Sequence, residues 1–374
     1  MKILIKQFLG KNHSWSVTGW GIAQGLINLG HDVQLFSTDG IKNLPASLKS
    51  NLIGYVEENQ SKVVGRLPDK NYDCQISYTA MRNFPNYLSN GNKNRFGIWT
   101  YEWAGKNVLP NGFPRNYVHC DYILAPSNFS KQIFLDSGIP DNHIKVIPHG
   151  INSINYNKTE TIKFATNKKF KILSVLTQNH IRKNIPGILD AYGKAFNKKD
   201  DVCLIIKGKG KAVKQSFEIS LDDCLAKFKK TYPDHAEIKL YSEFVEDMSI
   251  LYRSADCLFA LSNCEGFFFP ALEALASGKL VIAPNWGGQL DFLNESNSLL
   301  VNGKETRANP KSMYWEHNNN AIWFEPNIDD AVNKLQFAYK NYESLNQKNE
   351  LQKTYIHNEY DWTNITNKII NLCK

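Results

Sequence analysis

Two glutamates lie eight positions apart in the run Glu265-Gly-Phe-Phe-Phe-Pro-Ala-Leu-Glu273, where a loop leads into a helix. The proline suits the start of that helix, because its φ is already helical and no hydrogen bond is lost there. The N–H groups of a helix start attract phosphate, so we expect the amides of Gly266, Phe267 and Phe268 to face one. Glu273, in the first turn, is then placed to accept hydrogen bonds from sugar hydroxyls. An anion beside hydroxyls describes a nucleotide sugar.

For Glu273 alone a second interpretation is open. A glutamate in the first turn of a helix also interacts favourably with the helix dipole, and this needs no ligand. The whole run is more specific. Together with the Ala-Ser-Gly and the Val-Ile strand that follow it, the run resembles the signature of retaining GT-B glycosyltransferases. These form the family 4, or group 1, type of the sucrose-synthase and glycogen-synthase-like superfamily. The resemblance implies an α/β fold of two Rossmann-like domains facing a central cleft.

The elements around this run alternate between strand-like apolar segments and helix-like segments, which predicts βαβ units and parallel sheets. A polar stretch, 153–169, is predicted to link an N-terminal domain, 1–152, to a C-terminal domain, 170–345. Residues 346–374 are predicted to form a C-terminal helix that can pack back on the N-terminal domain. The resemblance assigns acceptor binding to the first domain and nucleotide-sugar binding to the second.

Composition narrows the class of protein. No apolar stretch in the 374 residues approaches the roughly 18 that a membrane span needs, and the start lacks a cleavage site, so we expect a cytoplasmic protein. The seven cysteines are scattered and none forms Cys-x-x-Cys, which disfavours disulfides or a zinc site. The net charge of +8 fits a solvated basic surface, attraction to an anionic membrane surface, or nucleic-acid binding.

A glycine pattern follows the first predicted strand, in Thr18-Gly-Trp-Gly21, and resembles the opening glycine loop of the same family. Gly19 and Gly21 are expected to let the backbone approach the donor phosphate without a Cβ in the way. With Gly25 they also imitate a dinucleotide fingerprint. However, the spacing between these glycines has one residue too many, and the pattern begins well beyond the end of the strand. A plain loop is the structural alternative.

Two basic residues, Arg182 and Lys183, precede a predicted helix. Family members carry an arginine and a lysine about five residues apart that grip the donor diphosphate. Lys183 matches the lysine, whereas the arginine position falls at Thr177 or Gln178, so Arg182 is the candidate substitute. Cations are unfavourable at a helix start, and their presence there indicates an anionic ligand.

Other segments resemble parts of the family that border the donor. Glu102, in Trp99-Thr-Tyr-Glu-Trp103, is expected to accept a hydroxyl of the sugar or acceptor, with a surface glutamate between packed aromatics as the open alternative. Val245 lies at the edge that packs the nucleotide base. Gly287 and Gly288 lie in a segment that borders the phosphate and the sugar.

The resemblance implies sugar transfer with retention of anomeric configuration, without metal or other cofactor. Lys183, Arg182 and the amides of Gly266 and Phe267 would stabilise the departing diphosphate, and Glu265 would orient the sugar. The donor is expected to be a UDP- or GDP-sugar. The acceptor is expected to be a hydroxyl of a glycan, a lipid-linked glycan or a modified nucleic-acid base.

Two alternatives from other classes stay open. The displaced arginine fits a protein that binds nucleotide sugar or carbohydrate without catalysis. The glycines near Gly19 fit an NAD-dependent oxidoreductase.

Overall fold

The computed structural model describes residues 1–11, 13–57, 62–69, 71–88, 91–176, 179–208, 217–313 and 320–373. The chain divides into two compact units. The first unit consists of Met1–Tyr101, Gly105–Asn152 and Asn358–Lys374, and the second consists of Glu102–Ala104 and Ser153–His357. The stretch 153–169, predicted as a linker, is thus grouped with the second unit.

The strands of the described residues are β1 (Lys2–Gln7), β2 (Asp32–Ser37), β3 (Leu52–Val56), β4 (Val63–Gly65), β5 (Cys74–Tyr78), β6 (Arg95–Ile98), β7 (Tyr122–Ala125), β8 (Ile144–Val146), β9 (Phe170–Leu176), β10 (Val202–Gly208), β11 (Glu237–Tyr241), β12 (Cys257–Phe259), β13 (Leu280–Pro284), β14 (Leu299–Val301), β15 (Gly303–Arg307) and β16 (Ile322–Pro326). The helices are α1 (Ser14–Asn28), α2 (Phe84–Tyr87), α3 (Asn128–Asp136), α4 (Ser153–Tyr156), α5 (Ile185–Ala195), α6 (Leu221–Thr231), α7 (Ser249–Ser254), α8 (Phe269–Ala276), α9 (Ile328–Tyr360) and α10 (Trp362–Ile370).

The sheet of the first unit, within the described residues, has eight strands in the order β4-β3-β2-β1-β5-β6-β7-β8. Its pairs are parallel apart from β3 with β4. The sheet of the second unit, counted in the same way, has six parallel strands in the order β11-β10-β9-β12-β13-β14. Parallel strands need crossover connections, which the alternating helices supply. The predicted α/β class, with one parallel sheet in each unit, is confirmed.

The centre of the second unit explains where its loops gather. β9 is almost wholly buried and mostly apolar, and it lies between β10 and β12, as expected of a strand covered on both faces. The chain leaves the carboxyl ends of β9, β12 and β13 at one edge of this sheet. Ligands of open parallel sheets bind at such an edge. The segments that follow these three strands carry most of the predicted site residues.

In the first unit, α1 corrects the predicted glycine loop. The helix begins at Ser14, where His13 caps it by accepting a hydrogen bond from Ser16 N at 3.2 Å, so Gly19 and Gly21 lie inside a helix. A Cβ on Gly21 would lie 2.0 Å from the ring of Trp362 in α10. Glycine is therefore required for α10 to pack closely on α1, a packing role that the sequence pattern did not reveal.

No helix among the described residues is both long and apolar enough to cross a membrane.

We predict that Gly21→Ala destabilises the protein by about 1–3 kcal/mol, because the added methyl group overpacks the contact with Trp362. Helix propensity alone would change stability in the opposite direction, by about 1 kcal/mol in favour of alanine. Denaturant-induced unfolding measures the difference. Gln24→Ala, on the same helix but outside this contact, is the control and is expected to stay within about 0.5 kcal/mol of the parent protein. A Gly21→Ala protein as stable as the parent would contradict the packing role.

Candidate functional site

A buried group of four charged side chains, here called the Glu265 cluster, lies in the second unit. Glu265 Oε1 is 2.5 Å from Lys183 Nζ, and Glu265 Oε2 is 2.8 Å from Arg182 Nη1. The fourth member is Glu102, whose Oε1 lies 3.7 Å from Arg182 Nη2. None of these side chains is more than 17% exposed. The structure thus brings together the four residues that the sequence analysis selected as catalytic.

The two cations are placed by the segment between β9 and α5. A short 3₁₀ turn, Ile181–Lys183, begins at His180, whose Nδ1 accepts a hydrogen bond from Arg182 N at 3.0 Å. Asn184 then adopts a left-handed conformation with φ 52° and caps α5 through Gly187 N at 3.1 Å. Positive charge just before a helix start is unfavourable. The Glu265 cluster shows that carboxylates of the chain itself already balance these cations.

Glu102 is fixed in the second unit by its neighbours. Ala104 pairs with Ile322 through two backbone hydrogen bonds of 3.1 and 2.8 Å. The indole of Trp103 donates to Ser312 Oγ at 3.3 Å. Glu102 is therefore a constrained, largely buried partner of Arg182, which excludes the alternative of an exposed surface glutamate.

Arg182 also organises the backbone ahead of Glu265. Its Nη1 donates to the carbonyl of Cys264 at 3.0 Å, and its own carbonyl accepts from Asn263 N at 2.7 Å. Lys183 Nζ lies 5.6 Å from the centre of the Phe268 ring, within the range of a cation–π contact. These contacts tie the segment after β9 to the segment after β12.

The electrostatics of the cluster follow from burial and from its neighbours. Burial alone would raise the pKa of Glu265, but the Arg182 and Lys183 cations hold it at about 2, so this carboxylate is ionised at neutral pH. Burial lowers the pKa of Lys183, aided by Arg182 and opposed by Glu265. Burial raises the pKa of Glu102, against the attraction of Arg182. Glu265 is therefore the fixed negative charge around which the cations are held.

The start of α8 differs from the prediction by one residue, with a consequence for Glu273. Phe268 precedes the helix in a left-handed conformation with φ 74°, and Pro270 is the second helical residue. Glu273 is therefore the fifth residue of Phe269–Ala276 and lies beyond the first turn. Since the influence of a helix dipole fades within one turn, an interaction with the dipole does not account for Glu273.

Two tyrosines hold the Glu273 carboxylate. Tyr156 Oη donates to Glu273 Oε1 at 2.9 Å, and Tyr252 Oη donates to Oε2 at 2.7 Å. Burial raises the pKa of Glu273 to about 7, opposed by the two hydroxyls and increased further by Asp247. Nothing in the sequence indicates either tyrosine, because Tyr156 falls in the predicted linker and Tyr252 lies in none of the motifs that the sequence analysis selected.

The remaining predicted donor contacts are spread over both units. Gly288 N donates to the carbonyl of Glu265 at 2.8 Å. Gly287 has φ 100°, and a Cβ there would lie 2.9 Å from that same carbonyl, so glycine is needed for this approach. Val245 is half-buried between β11 and α7, whereas Gly19 and Gly21 lie in the first unit.

The backbone before α8 is buried. Gly266 is buried, and the ring of Phe267 packs 5.5 Å from that of Phe269 and 5.3 Å from that of Phe292. The alternative arginine positions, Thr177 and Gln178, lie outside the described residues. Within the described ranges there is no group of three or more His, Cys, Asp or Glu side chains placed to hold a metal ion.

Comparison with known proteins identifies the family of this chain. Residues 157–358, more than half of its length, match the family model described as glycosyl transferases group 1. The chain belongs to this family. It is therefore a glycosyltransferase, and the dehydrogenase alternative is wrong. The glycine pattern that suggested the dehydrogenase lies within α1 and serves its packing.

Relatives resemble this glycosyltransferase over nearly its whole length. An uncharacterized glycosyltransferase of Methanocaldococcus jannaschii is 22% identical, covering 95% of this chain and 92% of its own. The crystal structure of a glycosyltransferase from Rickettsia africae superposes with a TM-score of 0.70 at 18% identity, covering 100% of this chain and 98% of that one. Anabaena HepE in complex with UDP-glucose superposes with a TM-score of 0.69 at 14% identity, covering 99% and 98%. These likenesses confirm the GT-B fold class.

We predict that Arg182→Ala destabilises this glycosyltransferase by about 3–5 kcal/mol, because the change leaves buried carboxylates without their main partner. Denaturant unfolding of the full chain checks the loss. The matched control is Lys194→Ala, which removes a half-exposed ion pair with Asp190 of 3.2 Å. Exposed pairs contribute about 0–1 kcal/mol. Similar small losses in both variants would show that the buried carboxylates do not depend on Arg182 as their partner.

Proposed function

We propose that this glycosyltransferase moves a sugar from a UDP-sugar to a hydroxyl acceptor, with retention of anomeric configuration and without a metal ion. A GDP-sugar is the second candidate donor. The observation that carries the proposal is the placement of Lys183 beside Glu265 and ahead of α8, within a single buried cluster. The preference for uridine is supported by the similarity to HepE, which was crystallised with UDP-glucose.

Lys183 is the proposed electrostatic partner of the leaving diphosphate. An ammonium group has three N–H donors, and the contact with Glu265 uses one of them. Two N–H donors therefore remain for phosphate oxygens while Glu265 holds the lysine in place. The start of α8 adds the partial positive charge of its backbone N–H groups.

Arg182 is assigned a different role from the one expected from the sequence. Its guanidinium is occupied by Glu265, Glu102 and the carbonyl of Cys264, and the residue is only 8% exposed. We therefore assign Arg182 to holding Glu265 in place. The carboxylate of Glu265 has about four lone-pair sites, of which Lys183, Arg182 and the side chain of Ser262 occupy three, so one site is left to accept a sugar hydroxyl.

The reaction then proceeds as a same-face substitution. The bond between the anomeric carbon and the β-phosphate oxygen breaks, and a bond from the acceptor oxygen to that carbon forms on the same face. The acceptor proton passes to an oxygen of the departing phosphate, so no separate base is needed. Negative charge grows on the diphosphate as the bond breaks, and a fixed cation such as Lys183 lowers the barrier by stabilising it.

The proposed acceptor is a glycan or lipid-linked glycan hydroxyl. The net charge of +8 is compatible with work at an anionic membrane surface. A modified nucleic-acid base is the second acceptor candidate, and its binding would weaken steeply with added salt.

We predict that Lys183→Ala lowers kcat/KM by about 10²–10³-fold, the usual cost of removing one donor to a developing anion. The assay follows nucleoside diphosphate release from a panel of UDP-, GDP- and ADP-sugars. EDTA is expected to leave the rate of the parent protein unchanged. Lys239→Ala is the control, since Lys239 forms a half-exposed pair with Glu237 on the edge strand β11.

Full activity in Lys183→Ala would remove the leaving-group role. Absence of both release and binding for every donor would favour a protein that binds carbohydrate without transfer.

We predict that UDP affinity rises with pH as Glu273 ionises, since the ionised carboxylate is the better acceptor for ribose hydroxyls. With a pKa of about 7, set by burial among Tyr156, Tyr252 and Asp247, the rise is centred near neutrality. Calorimetric titration between about pH 6 and pH 8 tests this. Glu273→Gln should bind weakly, and its affinity should follow only the ionisation of the nucleotide phosphate. Parallel pH profiles for the two proteins would contradict the role of Glu273.

A further inference from the structure

Two neighbouring helices hold the Glu273 carboxylate of the proposed donor site through tyrosine hydroxyls. Tyr156 comes from α4 and Tyr252 from α7, and they donate to different oxygens, at 2.9 and 2.7 Å. Tyr156 is 6% exposed and Tyr252 is 1% exposed, whereas Glu273 itself is only half-buried. The carboxylate is therefore held from the inside while one side stays accessible to a ligand.

The helices that carry these hydroxyls are themselves fixed to each other. Arg253 Nε donates to the carbonyl of Glu160 at 2.9 Å, and Ser249 Oγ donates to the carbonyl of Asn155 at 3.2 Å. Arg253 Nη1 also donates to the Asn155 carbonyl, at 2.5 Å. The chain around Tyr156 is thus anchored on α7, which fixes the distance between the two hydroxyls. Such supporting contacts hold a functional group in one orientation.

Stability alone does not explain a carboxylate at this position. Glu273 is half-buried and has no cationic partner among the described residues, and Asp247 repels its charge further. Burying a charge that is not paired with an opposite charge is costly, even when hydroxyls hydrogen-bond to it. A neutral side chain such as an amide would lie between two phenol hydroxyls at a lower cost in free energy. The cost of keeping a glutamate here indicates that its negative charge has a use.

We propose that Tyr156 and Tyr252 are positioning residues that orient the Glu273 carboxylate toward the two ribose hydroxyls of the donor nucleotide. Each oxygen accepts one tyrosine hydroxyl and keeps a lone pair for one ribose hydroxyl. A carboxylate that is fixed before binding loses less entropy on contact, so its two bonds to the vicinal hydroxyls contribute more affinity. This inference rests on the proposed function, in which Glu273 faces the ribose.

The test compares the binding of UDP with that of 2′,3′-dideoxy-UDP, by calorimetry on the full chain. If the donor panel selects another base, the corresponding nucleotide pair is used. The parent protein is expected to prefer the ribonucleotide by about 10–100-fold, the usual effect of hydrogen bonds to a charged group. Tyr156→Phe and Tyr252→Phe are each expected to reduce that preference to about threefold or less, because the carboxylate is no longer fixed.

Tyr192→Phe is the matched control. Tyr192 is a buried tyrosine of α5 whose hydroxyl donates to the Glu237 carbonyl at 2.8 Å. Loss of this hydroxyl should lower thermal stability about as much as loss of the Tyr156 or Tyr252 hydroxyl. It should leave the preference for the ribonucleotide unchanged. Two independent test variants keep the comparison available if one of them fails to fold.

The outcomes separate this inference from the proposed function. Retained ribose preference in both folded tyrosine variants, with or without lower stability, would overturn the positioning role. A parent protein that binds both nucleotides equally would also overturn it, while sugar transfer in the donor panel would leave the transferase proposal intact. Failure of the parent protein to bind or turn over any nucleotide sugar would instead reject the proposed function itself.

Discussion

The ion cluster around Glu265 is the constraint on which the site depends. Buried ion pairs contribute little net stability, since removing two charges from water offsets most of their attraction. The role of this cluster is to hold two segments of the chain together. Arg182 and Lys183 follow β9, Glu265 follows β12, and their contacts of 2.5–2.8 Å join the two segments at one edge of the sheet. Any change in the position of Glu265 would move Lys183, the cation that is proposed to meet the donor.

The backbone next to Glu265 is strained. Phe268 is a bulky residue in the left-handed region, where such a residue costs on the order of 1–3 kcal/mol. Neighbouring packing maintains it, because the ring of Phe267 packs edge-on against that of Phe269 and at a tilt against that of Phe292. The adjacent carbonyl of Glu265 is bonded by Gly288 N at 2.8 Å. The loop is thus held in one conformation in the structure, as preorganised electrostatic catalysis requires.

Local chemistry in the sequence predicted part of this arrangement. The Glu265–Glu273 run and Lys183 could be found because each sits at a strand–turn–helix junction whose signals lie within a few residues. The partners of Glu273 could not, since Tyr156 is 117 positions away and only the folded chain brings them together. Gly21 was misinterpreted for the same reason. A glycine between helical residues suggests a loop until Trp362, from the other end of the chain, is seen to occupy the space.

The two glutamates of the signature illustrate how environment divides one residue type into two functions. Glu265 faces two cations, which keep its pKa near 2, so its charge is constant and can organise other charges. Glu273 faces neutral hydroxyls, and its pKa of about 7 leaves its charge responsive to a ligand or to pH. Titratable groups whose environments push their pKa values apart commonly take different roles in one site. The spacing between the glutamates identifies the pair, whereas the side chains that surround each of them determine what it does.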